Sequence, residues 1–156
     1  MGIIKVELYE DKVPITAENF KNLANDGFYD STKIHRISPN FMIQGGCPNS
    51  KDDDPSDDGT GGPGYTIEDE FHDDLKNERG MISMANSGPN TGGSQFFILV
   101  KDATWLDGAR AVFGKVVDGM NVVDAIAEAE NDGRYEPSPG GGRPVTDIVV
   151  NSITIE

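Results

Sequence analysis

The segment 34–46 constrains the fold more than any other stretch, because it holds two short extended runs between strong turn signals. In the first run, 34–38, side chains alternate between two faces at the period of a β-strand. A Pro-Asn pair at 39–40 interrupts the pattern, and the second run ends at two glycines, 45–46. This punctuation is typical of a hairpin, so we predict two antiparallel strands here.

The residue types in this hairpin are unusual. Arg36 and Gln44 lie in it beside Phe41 and Met42. A guanidinium carries five donors and keeps its charge, so beside apolar side chains it is either paired or awaits a ligand with a carbonyl or carboxylate. For Arg36 considered alone, a surface salt bridge explains the residue equally well.

The whole chain predicts one mainly β domain. Strand periodicity recurs about eight times, and helical spacing of apolar residues occurs twice, at 16–26 and after Gly119. The 19 Gly and 9 Pro residues supply the turns that short strands need. The first strand, 3–9, and the last, 145–155, are apolar enough to pair, which removes the sheet edges. We predict a closed eight-stranded antiparallel β-barrel capped by two α-helices, with any ligand on its outer wall.

The formal charge of the chain is −14, from 13 Lys and Arg against 27 Asp and Glu. No nucleic-acid partner is expected, because that affinity depends on basic groups that neutralise phosphates. Two interpretations of the acidity remain. We prefer a hydrated surface suited to high intracellular salt, which predicts weak folding at low ionic strength, over a surface that attracts basic partners.

The expected setting is a reducing cytoplasm. No run of 18 or more apolar residues occurs, so no membrane association is expected. The N-terminal residues lack the pattern of a signal peptide. Cys47 is the single cysteine, which rules out an internal disulfide. A monomer is expected.

Two features outside the main pattern invite a metal-binding or catalytic interpretation, and neither is preferred. The stretch 51–59 carries five aspartates, but its spacing differs from a calcium loop and Pro55 interrupts it. We predict a solvated acidic insertion and no metal site. His35 has no Ser or Cys nucleophile paired with it in sequence, so we interpret it as a buried, hydrogen-bonded histidine rather than a catalytic base.

The remaining unusual residues combine apolar side chains with a few donors and acceptors and positive charge. They are Arg36, Phe41, Met42, Gln44, Asn86, Gln95, Phe97, Trp105, Leu106 and Arg110. No carboxylate pair, Cys/His pair or metal cluster is interleaved among them, so no cofactor is expected. This mixture suits a neutral, amide-bearing ligand with an apolar ring.

Five ordered stretches resemble the cyclophilin family of peptidyl-prolyl cis–trans isomerases. They are HRISPNFMIQGG at 35–46, GTGG at 59–62, SMANSGPNTGGSQFFI at 83–98, WLDG at 105–108 and VFG at 112–114. They follow the family's order and spacing, and the resemblance covers nearly the whole chain. It implies a single cyclophilin-like domain over 1–156, with an acidic loop insertion at about 48–58, that acts as a cofactor-independent isomerase assisting protein folding.

The resemblance also implies residue roles. Arg36 stands at the position of the family's catalytic arginine. The pocket for the proline ring is expected to be lined by Phe41, Met42, Phe97 and Leu106. Gln44 and Gln95 are expected to orient the peptide and hold Arg36, and Ala85 and Asn86 to pair with its backbone. Trp105 borders the pocket and, in the family, contacts cyclosporin-type inhibitors; Thr60 and Ser87 border a second groove. The implied partners are proline-containing peptides and unfolded proteins.

Three positions depart from the family pattern. Arg110 replaces the histidine usual at the pocket rim, where a longer cation would narrow the pocket or favour an acidic substrate residue. The acidic stretch 49–58 is longer than the usual loop. Cys47 stands at a common Asp position, and we interpret it as a small packed residue rather than a reactive thiol.

Two other classes of function remain open. The same pocket would serve a non-catalytic chaperone or scaffold module that holds proline-containing chains. Arg36 favours the enzyme, because binding a ring alone does not require a guanidinium. A metal-dependent regulator acting through the acidic loop would show a calcium-dependent melting temperature beyond a matched salt control.

Overall fold

The computed structural model describes residues 1–134 and 141–156. There the chain forms six strands and two α-helices. They are β1 (Lys5–Leu8), α1 (Pro14–Asn25), β2 (Arg36–Ile37), β3 (Met42–Gly45), β4 (Met81–Met84), β5 (Phe96–Leu99), β6 (Val112–Asp118) and α2 (Met120–Ala127). The stretch 131–143 is rich in Gly and Pro, which predicts a loop, and it falls partly outside the described residues. Neither of these α-helices is long and apolar enough to cross a bilayer.

All six strands belong to one antiparallel sheet with the order β1-β6-β4-β5-β3-β2. The predicted hairpin is confirmed as β2 and β3, with Arg36 opposite Gln44. The turn at Pro39 ends β2, and the N–H of Ser38 donates to Met42 O at 2.8 Å across the base of that turn. The hairpin therefore lies at one edge of the sheet, next to β5.

The closed eight-stranded barrel is not found in the described part of the chain. The sheet there has six strands and is open, and 145–155 forms no strand. Instead, the backbone of Val150 pairs with 31–32 through two hydrogen bonds of 2.8 Å. Val150 and Ile153 both pack against the core. In a regular strand, residues three apart point to opposite faces, so Val150 and Ile153 could not both face the core. The alternation must therefore be interrupted between them, which prevents a regular ladder.

The main core lies on the face of the sheet that the helices cover. At its centre the rings of Phe20, Tyr29, Phe96 and Phe113 contact one another with centroids 5.2 to 5.6 Å apart. Such tilted and edge-to-face arrangements are the favourable geometries for aromatic pairs. The core therefore fixes α1 and the connection after it against β5 and β6.

Helix α1 begins earlier than the sequence indicates. Thr16, which begins the helical pattern 16–26, is the residue type expected at an N-cap, but the helix starts at Pro14, whose fixed φ suits a first position. The carboxylate of Glu70, 54 residues from Thr16, accepts from the Thr16 backbone N–H at 2.6 Å and from its hydroxyl at 2.7 Å. A distant residue thus supplies the cap, which no local pattern encodes.

Candidate active site

The sheet places the unusual residues of the hairpin on one face, opposite the main core. Arg36 lies across from Gln44, and Gln44 lies across from Phe97. Residues directly opposite each other in antiparallel strands project to the same side. By alternation, the opposed residues Met42 and Leu99 project to this side too. We call this side the site face.

An apolar cluster occupies the site face, separate from the main core. Its buried members are Met42, Phe97, Leu99 and Ala103, and the partly buried side chains around them are Phe41, Ala85 and Leu106. Trp105 stands beside the cluster, 71% exposed, with its ring centroid 5.8 Å from that of Phe41. The structure thus brings together the residues expected to hold a proline ring, outside the main core.

Sequence reasoning missed two members of this cluster. Leu99 lies two residues after Phe97 in β5, so strand periodicity already indicates that it shares the site face. Ala103 follows the strand in a turn, where its backbone N–H donates to Asn77 O at 2.8 Å. No periodic signal marks that position.

A row of polar side chains borders the cluster. Nη1 of Arg36 donates to Oε1 of Gln44 at 3.5 Å, and Nε2 of Gln44 donates to Oε1 of Gln95 at 3.1 Å. Nε2 of Gln95 donates to the carbonyls of Gly59 and Gly61, at 2.9 Å each. An amide bound over the apolar cluster therefore meets a permanent positive charge at its edge.

A buried asparagine that the sequence analysis did not identify holds the 3₁₀ turn Thr104–Leu106. The backbone N–H and Nδ2 of Asn77 donate to Oδ1 of Asp107 at 2.7 and 3.0 Å, and Nδ2 also donates to Arg110 O at 3.3 Å. The hydroxyl of Ser83 donates to Oδ1 of Asn77 at 2.7 Å. These bonds satisfy the buried amide and fix the turn against the sheet.

Asn86, expected to pair with the peptide backbone, and Arg110, expected at the rim, share one acceptor. Nδ2 of Asn86 and Nη1 of Arg110 donate to Ala109 O at 2.8 and 3.2 Å. Ala85 contacts the cluster through its side chain, while its N–H donates to Gln95 O at 3.0 Å. Ala85, Asn86 and Arg110 are partly buried. The rim therefore offers a cation and an amide beside the apolar cluster.

The two residues expected at a second groove are exposed and engaged in local loop bonds. The hydroxyl of Thr60 donates to Asp57 O at 2.6 Å. The backbone N–H of Ser87 donates to Oγ1 of Thr91 at 2.8 Å. Both contacts lie within their own loops, and the groove itself stays a prediction.

The end of the acidic insertion is less solvated than the sequence predicts. The side chain of Asp58 is 4% exposed and forms an ion pair with Arg143 at 2.8 Å. Burial raises the pKa of Asp58, and Arg143 opposes that shift. Carboxylate oxygens of Asp52, Asp57 and Asp58 lie within 4.8 Å of one another. Because Arg143 already neutralises Asp58, these three carboxylates do not by themselves make a cation site.

His35 is buried, as predicted, but the predicted hydrogen bond is not found at Nδ1, which has no partner among the described residues. Burial, and then the charges of Arg36 and Arg143, lower the pKa of His35 to about 4. The imidazole is therefore neutral at neutral pH, and it lies in the interior rather than over the apolar cluster.

This histidine makes stability sensitive to acid. Between the ordinary pKa of 6.5 and the folded value of about 4, the unfolded chain binds the proton and the folded chain does not. The neutral His35 therefore contributes to the free energy of unfolding above pH 6.5, the pKa in the unfolded chain. That contribution is lost as the pH falls from 6.5 to about 4, by roughly 3 kcal/mol in all. Urea unfolding of wild type and His35→Gln at neutral and acidic pH measures the effect. Equal acid losses in both proteins would contradict it.

Comparison with known proteins places the chain in a well-defined group. The family model described as cyclophilin type peptidyl-prolyl cis-trans isomerase/CLD matches residues 1–155. Peptidyl-prolyl cis-trans isomerase-like 1 of Homo sapiens is 42% identical over 154 residues, which cover 96% of this chain and 84% of that protein. Peptidyl-prolyl cis-trans isomerase CYP18-1 of Arabidopsis thaliana is 44% identical over 159 residues, 99% of this chain and 91% of that protein.

A solved structure has the same fold. The cyclophilin type peptidyl-prolyl cis-trans isomerase of Cryptosporidium parvum, crystallised in the presence of the dipeptide Ala-Pro, superposes with a TM-score of 0.85. The two sequences are 32% identical, and the match covers 98% of this chain and 92% of that chain.

Proposed function

Because the chain belongs to the cyclophilin-type peptidyl-prolyl cis–trans isomerase family, we propose that Arg36 is the catalytic residue of its isomerase activity. In this proposal the guanidinium donates to the nitrogen of an X–Pro bond while the apolar cluster on the site face holds the proline ring. The observation that carries it is the placement of Arg36 beside that cluster, with Gln44 bound to its Nη1 at 3.5 Å.

The reaction requires rotation without bond cleavage. Rotation about an amide faces a barrier of about 18–20 kcal/mol, set by loss of resonance. The two X–Pro isomers differ by only about 0.5–1 kcal/mol, yet exchange takes tens of seconds or longer. No nucleophile or cofactor is needed. The catalyst must instead stabilise the twisted amide, whose nitrogen becomes pyramidal and basic.

Arg36 suits that task because its donor favours a charge distribution present only in the twisted state. A donor that interacts more strongly with the transition state than with the planar amide lowers the barrier. A guanidinium also offers several N–H donors in a planar arrangement. Meanwhile Met42 and Phe97 grip the ring, so the carbonyl before proline swings relative to a fixed partner.

We propose proline-containing peptides and unfolded segments as substrates. The presence of Ala-Pro in the crystals of the Cryptosporidium parvum relative supports this class. We propose that Ala85 and Asn86 pair with the peptide backbone and that Gln95 orients the chain. A protease-coupled isomerase assay on wild type and Arg36→Ala tests the proposal. A non-catalytic binding module would leave both proteins at the uncatalysed rate.

Arg110 is proposed to set a preference among substrates. Its backbone N–H donates to the carbonyl of Leu106, a member of the apolar cluster, at 3.0 Å, and its Nη1 donates to Ala109 O at 3.2 Å. An acidic residue next to proline would gain an exposed ion pair, worth about a two- to fivefold advantage over its neutral amide isostere. We expect Arg110→His to reduce this Glu-over-Gln advantage in a matched peptide series. An unchanged preference after the substitution would remove the idea.

Several further features are proposed from the sequence. Trp105, largely exposed beside Phe41, would contact a cyclosporin-type inhibitor. The protein would act as a monomer in a reducing, salt-rich cytoplasm, with no nucleic-acid or membrane partner. The eight-stranded barrel would close where residues near Ile153 approach β1. Amide exchange protection along 151–155 tests the closure, and assays at low and high salt test the acidic surface.

A further inference from the structure

The base of the acidic insertion is closed by a thiol. Cys47 is completely buried, and its Sγ accepts backbone N–H bonds from Gly59 and Gly61 at 3.3 Å each. One sulfur therefore joins the residue that precedes the insertion to the two glycines that follow it. The distances suit N–H···S contacts, because sulfur is larger than oxygen and a softer acceptor.

The same two glycines face the active site with their other backbone groups. The carbonyls of Gly59 and Gly61 both accept from Nε2 of Gln95 at 2.9 Å. Gly59 has a φ of +90°, which disfavours any side chain, and a Cβ on Gly61 would lie 2.9 Å from the side chain of Asn49. The turn thus presents its N–H groups to Cys47 and its carbonyls to Gln95.

These contacts set the orientation of two side-chain amides in series. Both hydrogens of Gln95 Nε2 are used by the glycine carbonyls, so its Oε1 must face Gln44. That oxygen accepts from Nε2 of Gln44, which leaves Oε1 of Gln44 facing the guanidinium of Arg36. If the glycine carbonyls moved away, both amides would be free to flip. A flipped Gln44 would point N–H groups at a cation instead of an acceptor.

We propose that Cys47 is a positioning residue for Arg36, acting through the Gly59–Gly61 turn and the amides of Gln95 and Gln44. The inference rests on the proposed catalytic role of Arg36. In this role the thiol affects isomerisation without contacting the substrate. The role accounts for the hydrogen bonds that connect a completely buried cysteine to the polar residues bordering the site face.

The test compares Cys47→Ala and Cys47→Ser with Val116→Ala, which truncates a buried side chain of β6. Cys47→Ala removes the acceptor, and we expect kcat for a proline tetrapeptide to fall about tenfold, since small misplacements of a catalytic group are costly. KM should stay within about twofold, because the apolar cluster is intact. Cys47→Ser keeps an acceptor on a shorter side chain and should recover part of the loss. Val116→Ala should lower the melting temperature without changing kcat.

Side-chain ¹⁵N–¹H spectra give a second readout. The amide signals of Gln44 and Gln95 should shift in Cys47→Ala and remain in place in Val116→Ala. Unchanged amide signals, or a kcat equal to that of Val116→Ala at matched stability, would overturn the positioning role. If Arg36→Ala kept full activity, both the catalytic role of Arg36 and the positioning role of Cys47 would be refuted. If Arg36→Ala lost activity while Cys47→Ala kept full activity, only the positioning role of Cys47 would be refuted, and the catalytic role of Arg36 would stand.

Discussion

Replacing Arg36 by Ala is expected to lower kcat/KM for a proline-containing peptide by about 10²–10³-fold, the usual loss when one preorganised donor to a transition state is removed. The loss should appear mainly in kcat, because the proposed ring-binding residues Met42 and Phe97 are untouched and the donor is proposed to act on the twisted amide. A protease-coupled assay measures kcat/KM, and exchange spectroscopy on the bound peptide separates kcat from KM.

Two control variants separate the effect of losing the guanidinium donor from the effects of losing a positive charge. Arg36→Lys keeps a positive charge but loses the planar fork that Gln44 holds, so we expect it to remain at least tenfold impaired. Arg134→Ala removes the same charge from a side chain that is 55% exposed, and it should be fully active. Activity of Arg36→Ala within about threefold of wild type would contradict the assignment, provided that its circular dichroism spectrum is native.

Much of the candidate site could be predicted because strand periodicity and register determine which of its residues share a face of the sheet. Arg36, Gln44 and Phe97 share one face through cross-strand pairing, and pairing follows from alternation along β2, β3 and β5. Met42 then follows from Gln44 by a spacing of two. The same rule would have found Leu99. Residues on regular strands are thus the part of the site that local sequence specifies.

The contacts that escaped prediction join residues far apart in the chain. Glu70 caps α1 from a loop, and Asn77 fixes the turn at Asp107 from 30 residues away. The two glutamine amides take their orientation from glycine carbonyls beyond the insertion. Each depends on how loops meet in three dimensions, where side-chain periodicity gives no signal. The closing strand predicted at 145–155 is not found for a related reason, since apolar alternation indicates burial whether or not a continuous ladder forms.

Besides its exposed aspartates, the protein has a connected group of partly buried ion pairs. Lys33 pairs with Asp147 at 3.2 Å, and Arg143 pairs with both Asp147 at 3.2 Å and Asp58 at 2.8 Å. We call these four residues the Asp58 ion-pair group. The side chains of Lys33 and Asp58 are 9% and 4% exposed, so salt screens them much less than it screens surface aspartates. The group ties the insertion to the C-terminal segment and to the residues before β2.

Arg143→Met should therefore destabilise the fold by roughly 3 kcal/mol at neutral pH, because it leaves Asp58 charged and buried without its cation. The other carboxylate oxygen of Asp58, Oδ1, is also buried and has no partner among the described residues, so no hydrogen bond compensates. Arg143 opposes the burial-driven rise in the pKa of Asp58, and that pKa should rise further without it. A protonated Asp58 no longer carries an uncompensated charge, so the deficit should shrink as pH falls through its raised pKa.

Urea unfolding of Arg143→Met at neutral and acidic pH measures both effects. Arg134→Met is the matched control, since it removes the same charge from an exposed pair with Asp132 at 3.6 Å and should cost at most about 1 kcal/mol. Adding Asp58→Asn to Arg143→Met should restore most of the stability, because the buried charge is then absent. Added salt should stabilise wild type and both variants alike, by screening the −14 net charge of the wild-type chain. Equal costs for Arg143→Met and Arg134→Met, or no recovery in the double variant, would show that the insertion is held by packing rather than by this ion pair.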